Sequence, residues 1–240
     1  MSIAPPPSEV EYPSSDGQPM AETGIHVVAI MHLHQALEDF FVDRADVFIA
    51  SDMFWYWEKG NKTACIAPDV MVVPGVPSSS VRQRRSFFTW REGGAVPAVV
   101  FEMASENTWR IDHGEKRTRY QQLKVHEYFI FDPEALYQNP PLQGFRLHGS
   151  TYRRIRTSAI ESVLGFRMQA EGTMLRLLDS QTGHPIPTRA EQVQRANARL
   201  DQAQAAVKTE KRKVQAEKQR ADALAAEVER LKKLLGGGNP

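Results

Sequence analysis

Between Thr23 and Val42 the apolar residues fall at Val27, Ile30, Met31, Leu33, Leu37, Phe40 and Phe41. That is the spacing of one helical face, so the stretch predicts a first helix. Beyond it the apolar runs shorten. Val47 to Ala50 and Met53 to Trp57 read as brief strands, Glu58-Lys59-Gly60-Asn61 as a turn, and Thr63 to Ile66 leads into the run Ala67-Pro68-Asp69-Val70-Met71-Val72-Val73. The stretch from Pro74 to Gly94, rich in Pro, Ser, Gly and Arg, predicts a long loop, and long loops in compact domains are often functional. A buried strand over Ala98 to Met103 follows, then a helix over Asp112 to Lys124. A strand over Glu127 to Phe131 ends at Asp132-Pro133. Further strand-like segments at Phe145 to His148, Tyr152 to Ile155, Phe166 to Met168 and Leu175 to Leu178 complete a mixed α/β domain.

The helix after the buried strand has a start signal. In Asp112-His113-Gly114-Glu115 the aspartate can cap backbone N–H groups while Glu115 reaches back, a capping-box pattern with Asp in place of Ser or Thr. Lys116 then lies in the first turns, with Tyr120 and Leu123 on the same side at i+4 and i+7.

The last quarter of the chain follows a different period. From Val193, residues recur every seven positions at Leu200, Val207, Val214, Ala221, Val228 and Leu235, and the matching second positions are Ala196, Ala203, Glu210, Glu217, Leu224 and Leu231. This heptad predicts a long helix that pairs two protomers as a coiled coil, weak at Glu210 and Glu217 and strong at its end, where Gly236-Gly237-Gly238 stops it. The other reading is a solvated single helix. The organisation expected is a disordered arm over residues 1–20, a globular domain over 21–187, and the helix with its Gly-rich tail over 188–240.

Composition narrows the function classes. With 240 residues and 41% hydrophobic content, the chain can bury one sizeable core and carry an appendage. Its single cysteine, Cys65, excludes an intrachain disulfide and a thiolate metal site, and fits a reducing cytoplasm. The first residues show neither the basic nor the apolar run of a signal peptide, and no stretch reads as a membrane span. The net charge of +1 hides an asymmetry: Arg189 to Leu235 holds 12 Lys+Arg against 7 Asp+Glu, a balance of +5, which leaves −4 for the rest. A slightly acidic globular part argues against tight nucleic-acid binding by the core alone. Basic clusters do occur at Arg82, Arg84 and Arg85, at Arg117 and Arg119, and at Arg153, Arg154 and Arg156.

Candidate chemistry rests on two carboxylates, Asp69 and Glu102, each set in an apolar strand. Burying such a group is costly unless a cation or hydrogen-bond donors compensate it, and two in succession point to a shared partner. A hard divalent ion such as Mg²⁺ takes oxygen ligands and binds through one or two carboxylates plus substrate phosphate, and Lys116 would then orient or deprotonate an attacking water. Among other residues, His32 and His34 lie about 200° apart on the first helix and cannot clamp one ion together. Trp55, Trp57, Trp90 and Trp109 have rings able to stack on bases, although aromatics near strands are more often core. Phosphate-cradling glycine loops, nucleophile elbows and zinc-ligand spacings are not found in the sequence.

Read together, Ala67-Pro68-Asp69, Val99-Val100-Phe101-Glu102-Met103-Ala104-Ser105, Lys116-Arg117-Thr118-Arg119-Tyr120 and His126-Glu127-Tyr128-Phe129-Ile130-Phe131-Asp132-Pro133 resemble the Uma-type restriction endonuclease family. That bacterial family belongs to the PD-(D/E)XK, or restriction-endonuclease-like, superfamily, and the similarity covers about residues 20 to 180. It implies an α/β fold with a mixed sheet flanked by helices. It also implies a Mg²⁺-dependent endonuclease acting on DNA, with Mn²⁺ as a substitute ion. Pro68-Asp69 matches the superfamily's proline-aspartate and Glu102 its second acid, whereas Ala104 stands where the E-x-K lysine belongs. In this family the lysine moves to the following helix, where Lys116 lies. The expected catalytic set is therefore Asp69, Glu102 and Lys116, with Asp69 and Glu102 on the metal. Supporting candidates are Tyr120 and Glu22, which resembles an acidic position near the start of the family's first helix. The alternative is a catalytically reduced nuclease fold kept as a DNA-binding or coiled-coil interaction module.

Overall fold

Residues 12–13, 23–78, 84–156 and 160–236 are described in the computed structural model. The chain divides into two units, 1–186 and 187–240. The first opens with α1 (Gly24–Phe40), whose first turn is capped by the Thr23 hydroxyl accepting from the His26 N–H at 3.3 Å. Then follow β1 (Val47–Ser51), β2 (Trp55–Tyr56), β3 (Cys65–Ile66), β4 (Val70–Pro74), β5 (Phe87–Phe88) and β6 (Val99–Met103). A helical segment comes next, made of α2 (Trp109–Ile111), a π-helical turn over Asp112–Lys116 and α3 (Arg117–Gln122). The remaining strands are β7 (Glu127–Phe131), β8 (Leu142–His148), β9 (Thr151–Arg154), β10 (Ile160–Glu161), β11 (Phe166–Glu171) and β12 (Met174–Asp179).

Six strands form the central mixed sheet in the order β1-β4-β6-β7-β8-β9. Only β6 and β7 run parallel, with Glu102 opposite Ile130. A parallel step needs a crossover, and the helical segment after β6 supplies it. The sheet is covered on both sides, which explains why its strands read as unbroken apolar runs. Val47, Ile49, Val70, Val72, Val99, Phe101 and Met103 share one core with Ile30, Leu33 and Leu37 of α1 and with Phe166, Met168, Leu175 and Leu177 of the small β10-β11-β12 sheet. Phe48, Ala50, Met71, Val73 and Val100 enter the other core with Trp55, Tyr120 and Tyr128. Glu102 lies between Phe101 and Met103 and so projects to this second face, under the crossover helix.

Two expectations differ from the structure. The helix begins one turn before Asp112, which has helical dihedrals (φ −62°, ψ −43°) and donates its N–H to the Thr108 carbonyl at 2.9 Å, so it is no cap. The reason is local: the Ser105-Thr108 turn, held by Ser105 N–H on the Thr108 hydroxyl at 3.2 Å, launches the helix earlier. Within the expected 74–94 loop, Phe87–Phe88 pairs parallel to Trp55–Tyr56, a strand too short to show a period. Of the expected arm, Tyr12 and Pro13 are among the described residues: the Tyr12 ring packs edge-on to Tyr56 and Phe88 at 5.0 and 5.2 Å, and the Tyr56 hydroxyl donates to the Pro13 carbonyl at 2.7 Å.

The second unit is α4 (Arg189–Gly236). Its start is a capping box: the Thr188 hydroxyl accepts from the Glu191 N–H at 3.1 Å while the Glu191 carboxylate accepts from the Thr188 N–H at 2.8 Å. The heptad residues Val193, Leu200, Val207, Val214, Leu224, Val228 and Leu231 are all exposed in the single chain.

Candidate active site

Glu102 is fully buried beneath the crossover helix, and both of its oxygens are engaged. Oε2 accepts from the Lys116 ammonium at 2.8 Å, and Oε1 accepts from the Tyr120 hydroxyl at 2.5 Å. The π-helical turn creates this convergence. It places Asp112 and Lys116 on one side of the helix, with Lys116 Nζ 3.0 Å from Asp112 Oδ1, while Tyr120 follows four residues on. Such wide turns interrupt regular helix at functional sites more often than elsewhere. The Tyr120 ring is wedged against Tyr128 with centroids 5.0 Å apart, and the Tyr128 hydroxyl donates to the Asp112 carbonyl at 3.0 Å, tying strand β7 to the turn.

Asp69 ends the approach to β4 and reaches across the β4–β6 pair, where its Oδ2 accepts from the Met103 N–H at 2.5 Å. On its other side lies His26 of α1, Nε2 3.6 Å from the same oxygen. The structure therefore gathers Asp69, Glu102, Lys116 and Tyr120 around one point between two strands and a helix. It adds two residues that sequence reasoning did not place there, Asp112 and His26. Each left a signal: Asp112 stands at i−4 from Lys116, and His26 shares the helical spacing of the buried residues Ala29, Ile30, Leu33 and Leu37. Glu22 lies outside the described residues.

Three buried carboxylates, Asp69, Glu102 and Asp112, thus face one ammonium. Burial, and then repulsion from Glu102, push the Asp69 carboxyl well above the usual carboxylate range, against the pull of Lys116 and the Met103 N–H. Burial and the same repulsion raise Asp112 to about 6. For Lys116, burial pulls downward, but Glu102, Asp112 and Asp69 together outweigh it and hold the ammonium protonated beyond its ordinary range. Tyr120 is likewise raised, by burial and by Glu102, and stays a donor.

This arrangement fits a cation. Three buried carboxyl groups share one ammonium, and the raised Asp69 and Asp112 carboxyls are what a further cation would relieve. The described residues contain no cluster of three or more His, Cys, Asp or Glu side chains arranged to enclose an ion. An ion here would use two side chains, as Mg²⁺ commonly does when it keeps water and phosphate oxygens in its remaining positions.

Comparison with known proteins bears on the family. The solved structures that match include "a putative nuclease belonging to DUF820 from Anabaena variabilis ATCC 29413", at a TM-score of 0.42 and 9% identity, covering 59% of this chain and 73% of that one. No curated protein matches the chain. The Uma2 family, described as "Putative restriction endonuclease", matches residues 2–174, a stretch that contains Asp69, Glu102, Asp112, Lys116 and Tyr120. With nearly the whole α/β unit inside that match, the chain belongs to the Uma2 family.

Proposed function

We propose that this protein is a Mg²⁺-dependent endonuclease that hydrolyses DNA phosphodiester bonds, with Mn²⁺ able to replace Mg²⁺. The observation that carries this reading is the excess of buried carboxylate over cation at Asp69, Glu102, Asp112 and Lys116, set within a chain of the Uma2 family. Asp69 and Glu102 are the residues that would hold the ion. Each Glu102 oxygen keeps a lone pair beyond the one it gives to Lys116 or Tyr120. When bound, the ion neutralises phosphate charge and lowers the pKa of a coordinated water.

The chain's own groups do the remaining work. Lys116, held protonated, is suited to stabilise negative charge that develops on the phosphoryl oxygens rather than to take a proton from water. Tyr120 fixes the Glu102 carboxylate in one orientation, and the Met103 N–H does the same for Asp69. Asp112 holds Lys116 together with Glu102.

One observation favours a second reading, a nuclease fold retained as a DNA-binding module: the chain outside α4 carries a net negative charge. Calorimetric titration with Mg²⁺ separates the two. The nuclease reading expects a single site in the wild type that weakens at least about tenfold in Asp69→Asn, the loss expected for a ligand or its support. A wild type that takes up no divalent ion leaves only the binding module.

The homodimer expected through α4 stands as a proposal on its exposed heptad. No helix among the described residues is long and apolar enough to cross a membrane.

A further inference from the structure

Beside the carboxylate cluster lies a cavity of about 470 Å³ between two walls. One is the chain from Trp57 to Ile66; the other is the crossover helix at Ile111, Glu115, Lys116 and Arg119. Lys116 belongs to both the cavity and the cluster, so the cavity opens onto the candidate active site. The first wall is pre-organised. The Trp57 N–H donates to the Ala64 carbonyl at 3.3 Å, and the Asn61 side chain accepts from the Thr63 N–H at 3.0 Å and donates to Glu58 at 3.1 Å. Trp57 is half-buried and braced edge-on by Trp55 at 6.0 Å.

The lining has the make-up of a site for a planar heterocycle. The exposed Arg119 guanidinium lies over the Trp57 indole face at 5.6 Å, a contact that a planar ring stacking there would take over. No carboxylate pairs with Arg119 among the described residues. Exposed Ile111 and half-buried Ile66 supply apolar contact. Glu58 and Glu115 offset Lys116 and Arg119, so the wall is nearly neutral and would not hold a bare polyphosphate. A ring that replaces the Arg119 guanidinium on Trp57 frees that guanidinium, beside Lys116, for one phosphate. The volume lies within the range of roughly 300–1,000 Å³ typical of small-ligand sites.

We propose that this cavity receives one unpaired nucleotide of the substrate strand, its base stacked on Trp57, next to the bond to be cut. This inference rests on the nuclease reading and names its substrate class: DNA with a single-stranded end, gap or displaced base. In a continuous duplex each base is held in the stack, and extruding one costs a few kcal/mol, a cost that is least where the base is already unpaired.

The test is fluorescence anisotropy, in EDTA at fixed salt, of full-length protein with a labelled blunt duplex and with the same duplex carrying a single-stranded overhang. The wild type should bind the overhang at least about tenfold more tightly, in line with stacking of one base on an aromatic ring. In Trp57→Ala that ratio should fall to about one, and Trp57→Phe, which keeps a ring and guards against a folding defect, should retain part of it. Equal affinity for both DNAs in the wild type, or an unchanged ratio in Trp57→Ala, overturns the assignment. Cleavage with Mg²⁺, measured in parallel, tells the two proposals apart. A Trp57-dependent preference without cleavage supports the cavity and removes the nuclease; cleavage without preference does the reverse; neither binding nor cleavage of either DNA removes both.

Discussion

Replacing Lys116 by methionine removes one charge while keeping a side chain of similar length, and the structure fixes what should follow. The ammonium lies 2.8 Å from Glu102 and 3.0 Å from Asp112, both fully buried, and it is the cation that moderates Asp69 as well. Removing one partner of a buried ion pair costs about 3–5 kcal/mol, because the remaining charge is left uncompensated. Here the remaining carboxylates can escape by taking up protons, so the cost must depend on pH. Asp112 is already raised to about 6 and Asp69 is raised too, and without Lys116 both rise further. A carboxyl whose folded pKa exceeds its unfolded value lends stability below the unfolded pKa and loses it as pH climbs to the folded one, by about 1.4 kcal/mol per pH unit per group. Lys116→Met should therefore be destabilised by roughly 1–2 kcal/mol near pH 5 and by roughly 3–5 kcal/mol near pH 8. Urea denaturation of wild type and variant at both pH values, in EDTA, measures this. Mg²⁺ should then recover more stability in the variant than in the wild type, since its site is the more negative. The same loss at both pH values, or none near pH 8, would show that the ammonium is not the counter-ion of the cluster.

Other expectations follow from single contacts. Tyr120→Phe keeps the ring against Tyr128 but leaves Glu102 Oε1 without its donor, so urea titration should register a loss of about 1.5–3 kcal/mol, and an unchanged midpoint would mean that the hydroxyl does not hold the carboxylate. Gly144→Ala would set a methyl carbon 2.7 Å from the buried Phe129 ring, and thermal unfolding should report about 1–3 kcal/mol of overpacking; a neutral result would show that β7 yields more easily than its burial implies. For α4, Leu231→Lys puts a charge on the heptad seam and should turn a dimer into a monomer by light scattering, whereas a wild type already monomeric at tens of micromolar would end the pairing proposal.

The strands that carry Asp69 and Glu102 were readable because a sheet covered on both faces writes long apolar runs into the sequence, and a carboxylate within such a run stands out. The same argument does not say which partner meets the charge. Glu127, also fully buried at the start of β7, is satisfied by Arg146 at 2.6 Å and the Ser162 hydroxyl at 2.6 Å, and so ties β7 to β8 and to the chain just beyond β10. Asp112 was misread because Asp before a helical run resembles a cap, whereas its role depends on a π-helical turn that no local propensity announces. His26 lay on the buried face of α1 by period, but its approach to Asp69 is a tertiary contact between elements more than 40 residues apart. The two-residue strands β5 and β10 are too short for any period to mark them.

The central claim meets its most direct test in the nicking and linearisation of supercoiled DNA by the wild type and by Glu102→Gln, with Mg²⁺, with Mn²⁺ and with EDTA. Glu102→Gln keeps the shape of the side chain that meets Lys116 and Tyr120 and removes its negative charge. The account predicts cleavage by the wild type with either ion, none in EDTA, and a rate at least about a hundredfold lower in the variant, in keeping with loss of a metal ligand. Cleavage that persists in EDTA, or that Glu102→Gln carries out at the wild-type rate, would contradict it.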